Sequence, residues 1–452
     1  MKTYHIWTVG CQVNVADSAR LGAGLRRLGW QPTDRPQDAD FIVVNTCAVR
    51  QNAEDRAAAK LANLRPLKER NADLKIAVMG CMVGPRDDEL RKRFPYVDAF
   101  ARPQQFDKVI GVLDVPDEDL GGEFWPALLP DTPAAVTAFV PVIEGCDKFC
   151  TYCIVPLRRG RERSRTIAEV LREVEAHVGR GVREVTLLGQ TVEAYGKDQP
   201  PVRIGNADPT TDHADLSDLM RAIHDIAGLR RIRALTSYPP NMTDRILEGM
   251  AALPKVCESF SLPVQSGDDG VLSAMRRGYA LAEFEERVAK VRALMPEVGI
   301  STDVIVGFPG ESEAAFANTL ALLERQRFDK VHVAAYSPRA GTYAGRKQPD
   351  DVPDEAKKER LHAVEELQAR ISAEINATQW DRTLAVLVEG RKAGEAAGVE
   401  RLTGRTRSNK LVHFDAAIGQ IAGGEVVEVH ITRTGAWSLQ GEAALATAGA
   451  AG

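Results

Sequence analysis

The 452-residue sequence has no apolar run long enough to cross a bilayer, no excess of positive charge and few cysteines. A membrane-spanning helix needs about 20 apolar residues, and the N-terminus leads into a strand-like run without a signal-peptide core. With 58 basic and 63 acidic side chains the net charge is -5, so any nucleic-acid contact must depend on a local patch. Seven cysteines without an export signal favour a reducing cytoplasm over a disulfide framework.

Three of the cysteines form one short motif directly after a strand-like run. Cys146, Cys150 and Cys153 are spaced as C-x3-C-x2-C, which we call the CX3CX2C motif. Thiolates bind iron–sulfur clusters, and three of them would hold three irons of a 4Fe-4S cube and leave the fourth iron open to a small molecule. Structural zinc sites usually have four ligands in paired spacing. The motif therefore favours a cluster over the alternatives, a zinc knuckle or a chance grouping.

Three further cysteines share one local context, although they are far apart in the sequence. Cys11, Cys47 and Cys81, which we call the N-terminal cysteine triad, each follow a short apolar run, and helical patterns separate the runs. Strand–helix–strand alternation predicts a parallel sheet, and functional groups gather at the carboxyl ends of its strands. We therefore expect the three thiols to converge on a second site; the alternative is three unrelated buried thiols. Cys257 is predicted to be a buried structural thiol.

The fold class predicted from the whole chain is multidomain α/β. Six strand-like runs alternate with helical patterns in the centre of the chain, which indicates a partial TIM-like (β/α)6 barrel with its site at the strand carboxyl ends. Short strands near the C-terminus predict an all-β barrel of oligonucleotide-binding type. The predicted boundaries are 1–112 for an N-terminal parallel α/β domain, 113–133 for a Pro-rich linker, 134–378 for the central barrel, 379–445 for the C-terminal barrel and 446–452 for a disordered tail.

Two basic segments are candidate phosphate contacts. Residues 157–165 hold five arginines immediately after the CX3CX2C motif, and residues 401–410 hold four basic side chains. Planar guanidinium groups suit phosphate and carboxylate recognition, and basic grooves of such barrels follow nucleic-acid backbones. The alternative for the arginine run is a solvated surface.

These motifs together resemble the radical SAM methylthiotransferases, where SAM is S-adenosylmethionine, and most closely the tRNA-modifying branch. The resemblance covers nearly the whole chain. It includes the segments around the N-terminal triad, residues 145–156 with the CX3CX2C motif, and residues 404–414, which are similar to a TRAM domain, an OB-like module that contacts the macromolecular substrate.

The resemblance implies sulfur insertion into a C–H bond of an isopentenyladenosine beside the tRNA anticodon, followed by methylation. A SAM-binding 4Fe-4S cluster on the CX3CX2C motif would yield the radical that removes hydrogen, an auxiliary 4Fe-4S cluster on the N-terminal triad would carry the sulfur, and a second SAM would supply the methyl group. The implied SAM contacts are Tyr152, Gly189, Gln190, Gln265, Ser266, Val306 and Gly307. The implied substrate contacts are Arg159, Arg165, Arg277, Arg405, Arg407 and Lys410.

The expected partners are the anticodon stem-loop of tRNA, an electron donor such as flavodoxin or ferredoxin, and proteins that deliver sulfur or clusters, with no membrane. Departures from the tRNA branch occur at Thr191, Glu193, Tyr238 and Ser261, and they bear on substrate preference. The same chemistry on a threonylcarbamoyladenosine tRNA, or on an aspartate of a ribosomal protein, is the nearer alternative. A non-enzymatic RNA-binding protein with structural zinc is the distant one.

Overall fold

Three folded units follow one another in the computed structural model, and the predicted multidomain α/β fold class is confirmed. The predicted linker, apart from Leu113 and Val115, and the predicted tail lie outside the described residues. No helix within the described residues is both long and apolar enough to span a membrane. The structure describes residues 1–49, 51–113, 115, 135–200 and 213–444.

The first unit is a five-stranded parallel sheet in the order β2-β1-β3-β4-β5. The central strand β3 is buried along its whole length, because helices cover both faces of the sheet. Strands β1 to β5 span Thr3–Thr8, Gln31–Pro32, Phe41–Thr46, Lys75–Gly80 and Ala99–Ala101. Helices α1 to α4 span Gln12–Arg27, Gln51–Arg70, Asp88–Arg93 and Phe106–Ile110.

The second unit is the predicted curved parallel sheet. Strands β6, β9 and β10 form one half and β11 to β13 the other, and a parallel bridge between Ile232 and Val256 joins the halves. A small antiparallel pair, β7 with β8, follows the first strand. Strands β6 to β13 span Thr137–Pro141, Ile143–Glu144, Arg163–Ser164, Glu184–Leu188, Arg231–Leu235, Ser259–Ser261, Gly299–Val306 and Lys330–Ala335.

The helices of this unit lie on the outside of the curved sheet, and the largest hydrophobic core of the chain fills the space between them. Helix α6 begins at a capping box formed by Thr166 and Glu169, which satisfies the first backbone N–H groups. Helices α5 to α13 span Val155–Arg159, Ile167–Gly179, Leu216–His224, Asp244–Ala251, Asp269–Ala274, Leu281–Leu294, Glu313–Gln326, Tyr343–Lys347 and Asp354–Ala377.

The third unit is a closed five-stranded barrel in the order β14-β15-β16-β18-β17. Its alternating strands point apolar side chains such as Leu402 and Phe414 inward, where they are fully buried. Strands β14 to β18 span Thr383–Ala393, Val399–Arg405, Leu411–Ala417, Val426–Thr434 and Leu439–Ala443.

Ionic contacts hold the barrel against the curved sheet. Arg233 on β10 pairs with Glu184 at 2.9 Å and donates to the carbonyl oxygens of Thr406 at 2.7 Å and Arg407 at 2.8 Å. Arg407 in turn pairs with Glu258 at 2.7 Å. Arg233 is buried and the pair of Arg407 with Glu258 is partly shielded, so the barrel is attached through specific charge-assisted hydrogen bonds.

Candidate cluster sites and the contact between them

The CX3CX2C motif lies in a tight loop between β7 and α5, at the carboxyl end of the first strand of the curved sheet. Gly145 enters the loop with a φ of 76°, and a Cβ there would lie 2.0 Å from the carbonyl oxygen of Arg161. Only glycine fits this position without rearrangement. The backbone N–H of Cys146 donates to Gly160 O at 3.0 Å, and that of Thr151 donates to Met275 O at 3.0 Å. The loop is therefore held both by the segment that follows it in the chain and by a residue from the second half of the domain.

Hydrogen-bond donors surround the sulfur atoms of the motif. The backbone N–H of Lys148 donates to Cys146 Sγ at 3.4 Å, and Arg277 Nη1 donates to Cys150 Sγ at 3.5 Å. Burial and the neighbouring Cys150 raise the pKa of the Cys153 thiol to about 12. The fold therefore favours the protonated Cys153 thiol in the absence of metal, and metal binding must release that proton.

The thiols of each cysteine group are neighbours rather than a preformed cage for one ion. Among the residues that the structure describes, no three Cys, His, Asp or Glu side chains could hold a single metal ion. The donor set still fits an iron–sulfur cluster in kind, since thiolates are its usual ligands and hydrogen bonds to sulfur accompany them.

Most of the predicted SAM contacts lie at the ends of neighbouring strands, as expected for one site. Gly189 follows β9, and a Cβ there would lie 2.5 Å from Ile143 Cγ2. The backbone therefore passes close to the loop that carries the CX3CX2C motif, which we call the cluster loop. Gln190 Oε1 is buried and has no hydrogen-bond partner among the described residues. Gly307 follows β12 with a φ of 70° and donates from its N–H to Glu311 at 2.6 Å.

The other four predicted contacts are also held by the fold itself. Ser266 Oγ lies 3.4 Å from Thr319 Oγ1 and accepts from the Asp268 N–H at 3.2 Å. Gln265 has a φ of 77° and its backbone bridges to Val304. Tyr152 packs edge-on against a buried phenylalanine, and Val306 is fully buried. The assignment of these residues to SAM remains a prediction.

Arg277 lies beside the CX3CX2C motif rather than on the protein surface. Its guanidinium donates to Pro263 O at 3.0 Å and to the hydroxyl groups of Tyr279 and Tyr152, at 3.1 Å and 3.4 Å. Burial would lower the pKa of Arg277, but these phenolic groups and Cys150 raise it above its ordinary value. The structure therefore gives Arg277 a role in bracing the cluster loop, and its contact with substrate remains a prediction.

Two residues that depart from the tRNA-branch pattern meet next to this loop. Tyr238 donates from its hydroxyl to Arg277 O, and Lys148 Nζ lies 4.8 Å above the Tyr238 ring. Glu193 accepts from the Tyr238 N–H at 3.2 Å, and burial raises the pKa of Glu193 to about 7. The departures are therefore linked to one another and to the predicted SAM site.

The N-terminal triad lies at the carboxyl ends of β1, β3 and β4, where the parallel sheet brings the three cysteines together. A Cβ on Gly10 would lie 2.7 Å from Cys47 Cβ, and the Cys81 N–H donates to Thr46 O at 2.9 Å. Burial, and then the charges of Cys47 and Cys11, raise the pKa of Cys81 to about 11. Cys11 is exposed at the start of α1, whereas Cys47 and Cys81 are buried.

Arg159 connects the two cysteine groups. It is the last residue of α5, the short helix that begins directly after the CX3CX2C motif, and its side chain is 1% exposed. Its Nη2 donates to Asn14 Oδ1 at 3.0 Å and to Asp17 Oδ2 at 2.9 Å, both on α1 beside Cys11. Asn14 belongs to the segment around Cys11 that carries the family resemblance, but nothing in the sequence pointed to Asp17.

The other arginines of the run divide into internal and exposed ones. Arg165 pairs with Glu173 at 2.7 Å and donates to Pro141 O at 2.8 Å, so it is internal. Arg161 and Arg163 have side chains that are 79% and 80% exposed, although each reaches a carboxylate near the loop. The run is therefore neither wholly a solvated face nor wholly a candidate phosphate site.

The predicted substrate contacts in the C-terminal barrel also have protein partners. Arg405 lies 3.5 Å from Glu389, Arg407 pairs with Glu258, and Lys410 pairs with Asp329 at 2.7 Å. Arg407 and Lys410 reach across to the central domain. These contacts give Arg407 and Lys410 a role in holding the barrel, and their contact with tRNA remains a prediction.

A curved six-stranded parallel sheet with a three-cysteine loop after its first strand defines a radical SAM protein. Residues 140–323 match the model of the Radical SAM superfamily, and residues 3–101 match that of Uncharacterized protein family UPF0004. The fold is shared with the solved structure of the radical S-adenosylmethionine methyltransferase TsrM from Kitasatospora setae, with a TM-score of 0.54 at 11% identity, over 89% of this chain and 81% of that chain.

Curated relatives place the chain more narrowly. It is 44% identical over 447 residues to the tRNA-2-methylthio-N(6)-dimethylallyladenosine synthase of Roseiflexus sp. (strain RS-1), covering 97% of this chain and 89% of the relative. It is 43% identical over 441 residues to the synthase of the same name from Dehalococcoides mccartyi (strain CBDB1), covering 97% and 98%. The chain therefore belongs to the family of tRNA-2-methylthio-N(6)-dimethylallyladenosine synthases.

Proposed function

We propose that this protein converts isopentenyladenosine beside the anticodon of tRNA to its 2-methylthio derivative. The observation that supports this best is the link between the two cysteine groups: α5 begins directly after the CX3CX2C motif, and its last residue, Arg159, donates to Asn14 and Asp17 on the helix that starts at Cys11. A sulfur-inserting enzyme needs its radical source and its sulfur source close to one substrate position. Relatives that match nearly the whole chain carry this activity in their names.

The two cysteine groups would hold two 4Fe-4S clusters, and the strand ends around Gln190 would hold SAM. When bound, SAM and its cluster supply the radical that removes hydrogen from the adenine, and the auxiliary cluster supplies sulfur. The residues of this chain position these groups and exclude water. Arg277 fixes the Cys150 sulfur and Tyr152, and the buried, unpartnered Gln190 Oε1 is a ready acceptor for an ammonium group.

The exposed side of the cluster loop is the proposed approach for tRNA. Phe149 within the motif is 68% exposed, and the exposed guanidinium groups of Arg161 and Arg163 lie just before β8 and at its first residue. An exposed aromatic ring can stack on an unpaired base, and nearby arginines can neutralise phosphates. We propose that the reaction takes place in the cytoplasm, where an electron donor such as flavodoxin or ferredoxin reduces the protein and other proteins deliver sulfur or clusters.

The test is to measure tRNA nucleosides by mass spectrometry in a strain that lacks the gene and is complemented with variants. The wild-type gene should restore 2-methylthio isopentenyladenosine. Alanine variants of either cysteine group should not, and the unmodified precursor should accumulate. Cys257→Ala is the matched control. Cys257 is a buried cysteine that belongs to neither group, so its replacement should leave the product in place.

The same strains discriminate the alternative substrates. The product missing from the deletion strain could instead be methylthio threonylcarbamoyladenosine or a modified ribosomal-protein aspartate. In that case the proposed substrate is wrong, whereas the proposed methylthiotransfer reaction stands. If the purified protein, prepared without oxygen, contains zinc in place of about eight irons, the enzymatic proposal itself is wrong.

A further inference from the structure

Arg159 enters the N-terminal cysteine site from the neighbouring domain. The N-terminal triad comes from the first sheet, whereas α5 belongs to the curved-sheet domain. The end of α5 is anchored from the N-terminal side, because Arg102 Nη2 donates to Leu157 O at 3.3 Å and to Arg158 O at 3.0 Å. The guanidinium of Arg159 therefore reaches the triad through a braced segment.

The guanidinium is bound on one side only. Its Nη2 donates hydrogen bonds to Asn14 and Asp17, whereas Nη1 is buried and has no hydrogen-bond partner among the described residues. A buried, unsatisfied charged donor is costly unless a partner completes it. The charge of Arg159 interacts with the thiols of both Cys81 and Cys11, so the sulfur atoms of the N-terminal triad lie beside this guanidinium.

Asn14 and Asp17 hold the guanidinium in place for this partner. Asn14 Nδ2 also donates to Val9 O and Thr46 O, both at 2.9 Å, which ties α1 to the ends of β1 and β3. The plane of the guanidinium is therefore set by residues next to Cys11 and Cys47. A guanidinium held in one fixed orientation can donate to a sulfur ligand at a defined position, whereas a general attraction between domains would not require a fixed orientation.

We propose that Arg159 is a positioning residue of the N-terminal cysteine triad, which it completes from the other domain by donating from Nη1 to sulfur and by placing a positive charge beside it. This inference rests on the proposed function, since it requires a cluster at the triad. Hydrogen bonds and positive charge at cluster sulfurs raise the reduction potential, and partners of metal ligands commonly support affinity by about tenfold or more.

The competing explanation is that Arg159 merely docks the two domains. Arg20 offers the matched control, because it also lies on α1 and pairs across the same contact with Glu173 at 3.2 Å. Its removal leaves Glu173 paired with Arg165, and within the described part of the chain Arg20 forms no hydrogen bond to a cysteine. Docking alone predicts equal effects from Arg20 and Arg159.

The experiment uses the full-length chain with the CX3CX2C cysteines changed to alanine, so that only the triad can hold iron. Into this parent we introduce Arg159→Met, Arg159→Lys and Arg20→Met. Circular dichroism and gel filtration verify folding. Iron and sulfide content after anaerobic reconstitution, the rate of iron loss to a chelator, and the midpoint potential by electron paramagnetic resonance are then compared.

We expect the parent to hold about four irons. Arg159→Met should lose iron to the chelator about tenfold faster, and its midpoint potential should be more negative; a tenfold difference in the preference for the reduced state corresponds to about 59 mV. Arg159→Lys should retain more iron than Arg159→Met, since it keeps the charge but not the fork. Arg20→Met should match the parent.

Three results would overturn the inference. Arg159→Met and Arg159→Lys variants with the iron retention and potential of the parent would show that Arg159 does not act on the site. Equal losses in Arg20→Met and Arg159→Met would assign the effect to docking. Should Arg159→Met not fold, Arg159→Lys alone decides between these results. A folded parent without iron would remove the auxiliary cluster itself, and with it both the proposed function and this inference.

Discussion

A buried glutamate beside the predicted SAM site should make the stability of the protein depend on pH. Glu193 lies in the short 3-10 turn Val192–Ala194 and is 1% exposed. Burial raises its pKa from 4.5 to about 7, although the hydrogen bonds from Ser237 and Tyr238 and the charge of Lys197 act in the opposite direction. The uncharged acid is therefore the form that the fold prefers below about pH 7.

The folded protein holds the proton of Glu193 more tightly than the unfolded chain, so ionisation lowers the free energy of unfolding. The loss begins near the ordinary pKa of 4.5, grows as the pH rises to about 7, and is constant above that. The difference between the two pKa values corresponds to about 3 kcal/mol. About 2 kcal/mol of this falls between pH ~5.5 and pH ~8.5.

Glu193→Gln keeps the shape of the side chain and removes the ionisation. Its melting temperature relative to wild type should therefore rise by about 4–8 °C between the lower and the higher pH. Glu175→Gln, at an exposed position on α6, is the control and should follow wild type at both values. Parallel melting curves for Glu193→Gln and wild type at both pH values would refute the reasoning, because they would mean that the carboxyl is ionised at no cost.

Three further predictions concern the domain contact, the tRNA surface and the cluster loop. Arg233→Met should lower the free energy of unfolding by about 3–5 kcal/mol in urea titrations, because it leaves the buried carboxylate of Glu184 unpaired; adding Glu184→Leu should recover much of the loss, and an unchanged midpoint in the single variant would contradict this. Arg161→Met and Arg163→Met should each weaken tRNA binding and reduce the salt slope by about 1, with iron content unchanged; a slope equal to that of wild type would exclude them as phosphate contacts. Gly145→Ala should lose about half of the iron, since its Cβ would lie 2.0 Å from a backbone oxygen; full iron content would show that the loop can shift.

The order of elements around both cysteine groups could be predicted from the sequence because it depends on local patterns. The six strand-like runs predicted in the centre of the chain are found as the six parallel strands of the curved sheet. An apolar run followed by a cysteine marks a strand end, and parallel strand ends meet at one edge. The pattern therefore predicts the N-terminal triad at one edge of the sheet, and the three cysteines follow the carboxyl ends of β1, β3 and β4.

Strands with weaker local patterns were missed. Strands β2 and β5, the two outer strands of the first sheet, are too short to show a periodic pattern. Strands β15 and β18 contain glycine and charged residues and only a few apolar ones. Their place is determined by the neighbours that they pair with, since β15 lies between β14 and β16 and β18 closes the barrel between β16 and β17. Such strands form because the surrounding sheet supplies their hydrogen bonds and core contacts.

The sequence by itself determined the thiols, their spacing and the sheet edges that carry them. The partners of the arginines were decided by the tertiary structure alone. Arg159 meets Asp17 across 142 positions in the chain, and Arg407 meets Glu258 across 149. A guanidinium carries the same charge and donors wherever it stands, and only the packing of the domains determines whether it faces a phosphate in solvent, a carboxylate in an interface or a sulfur in a site.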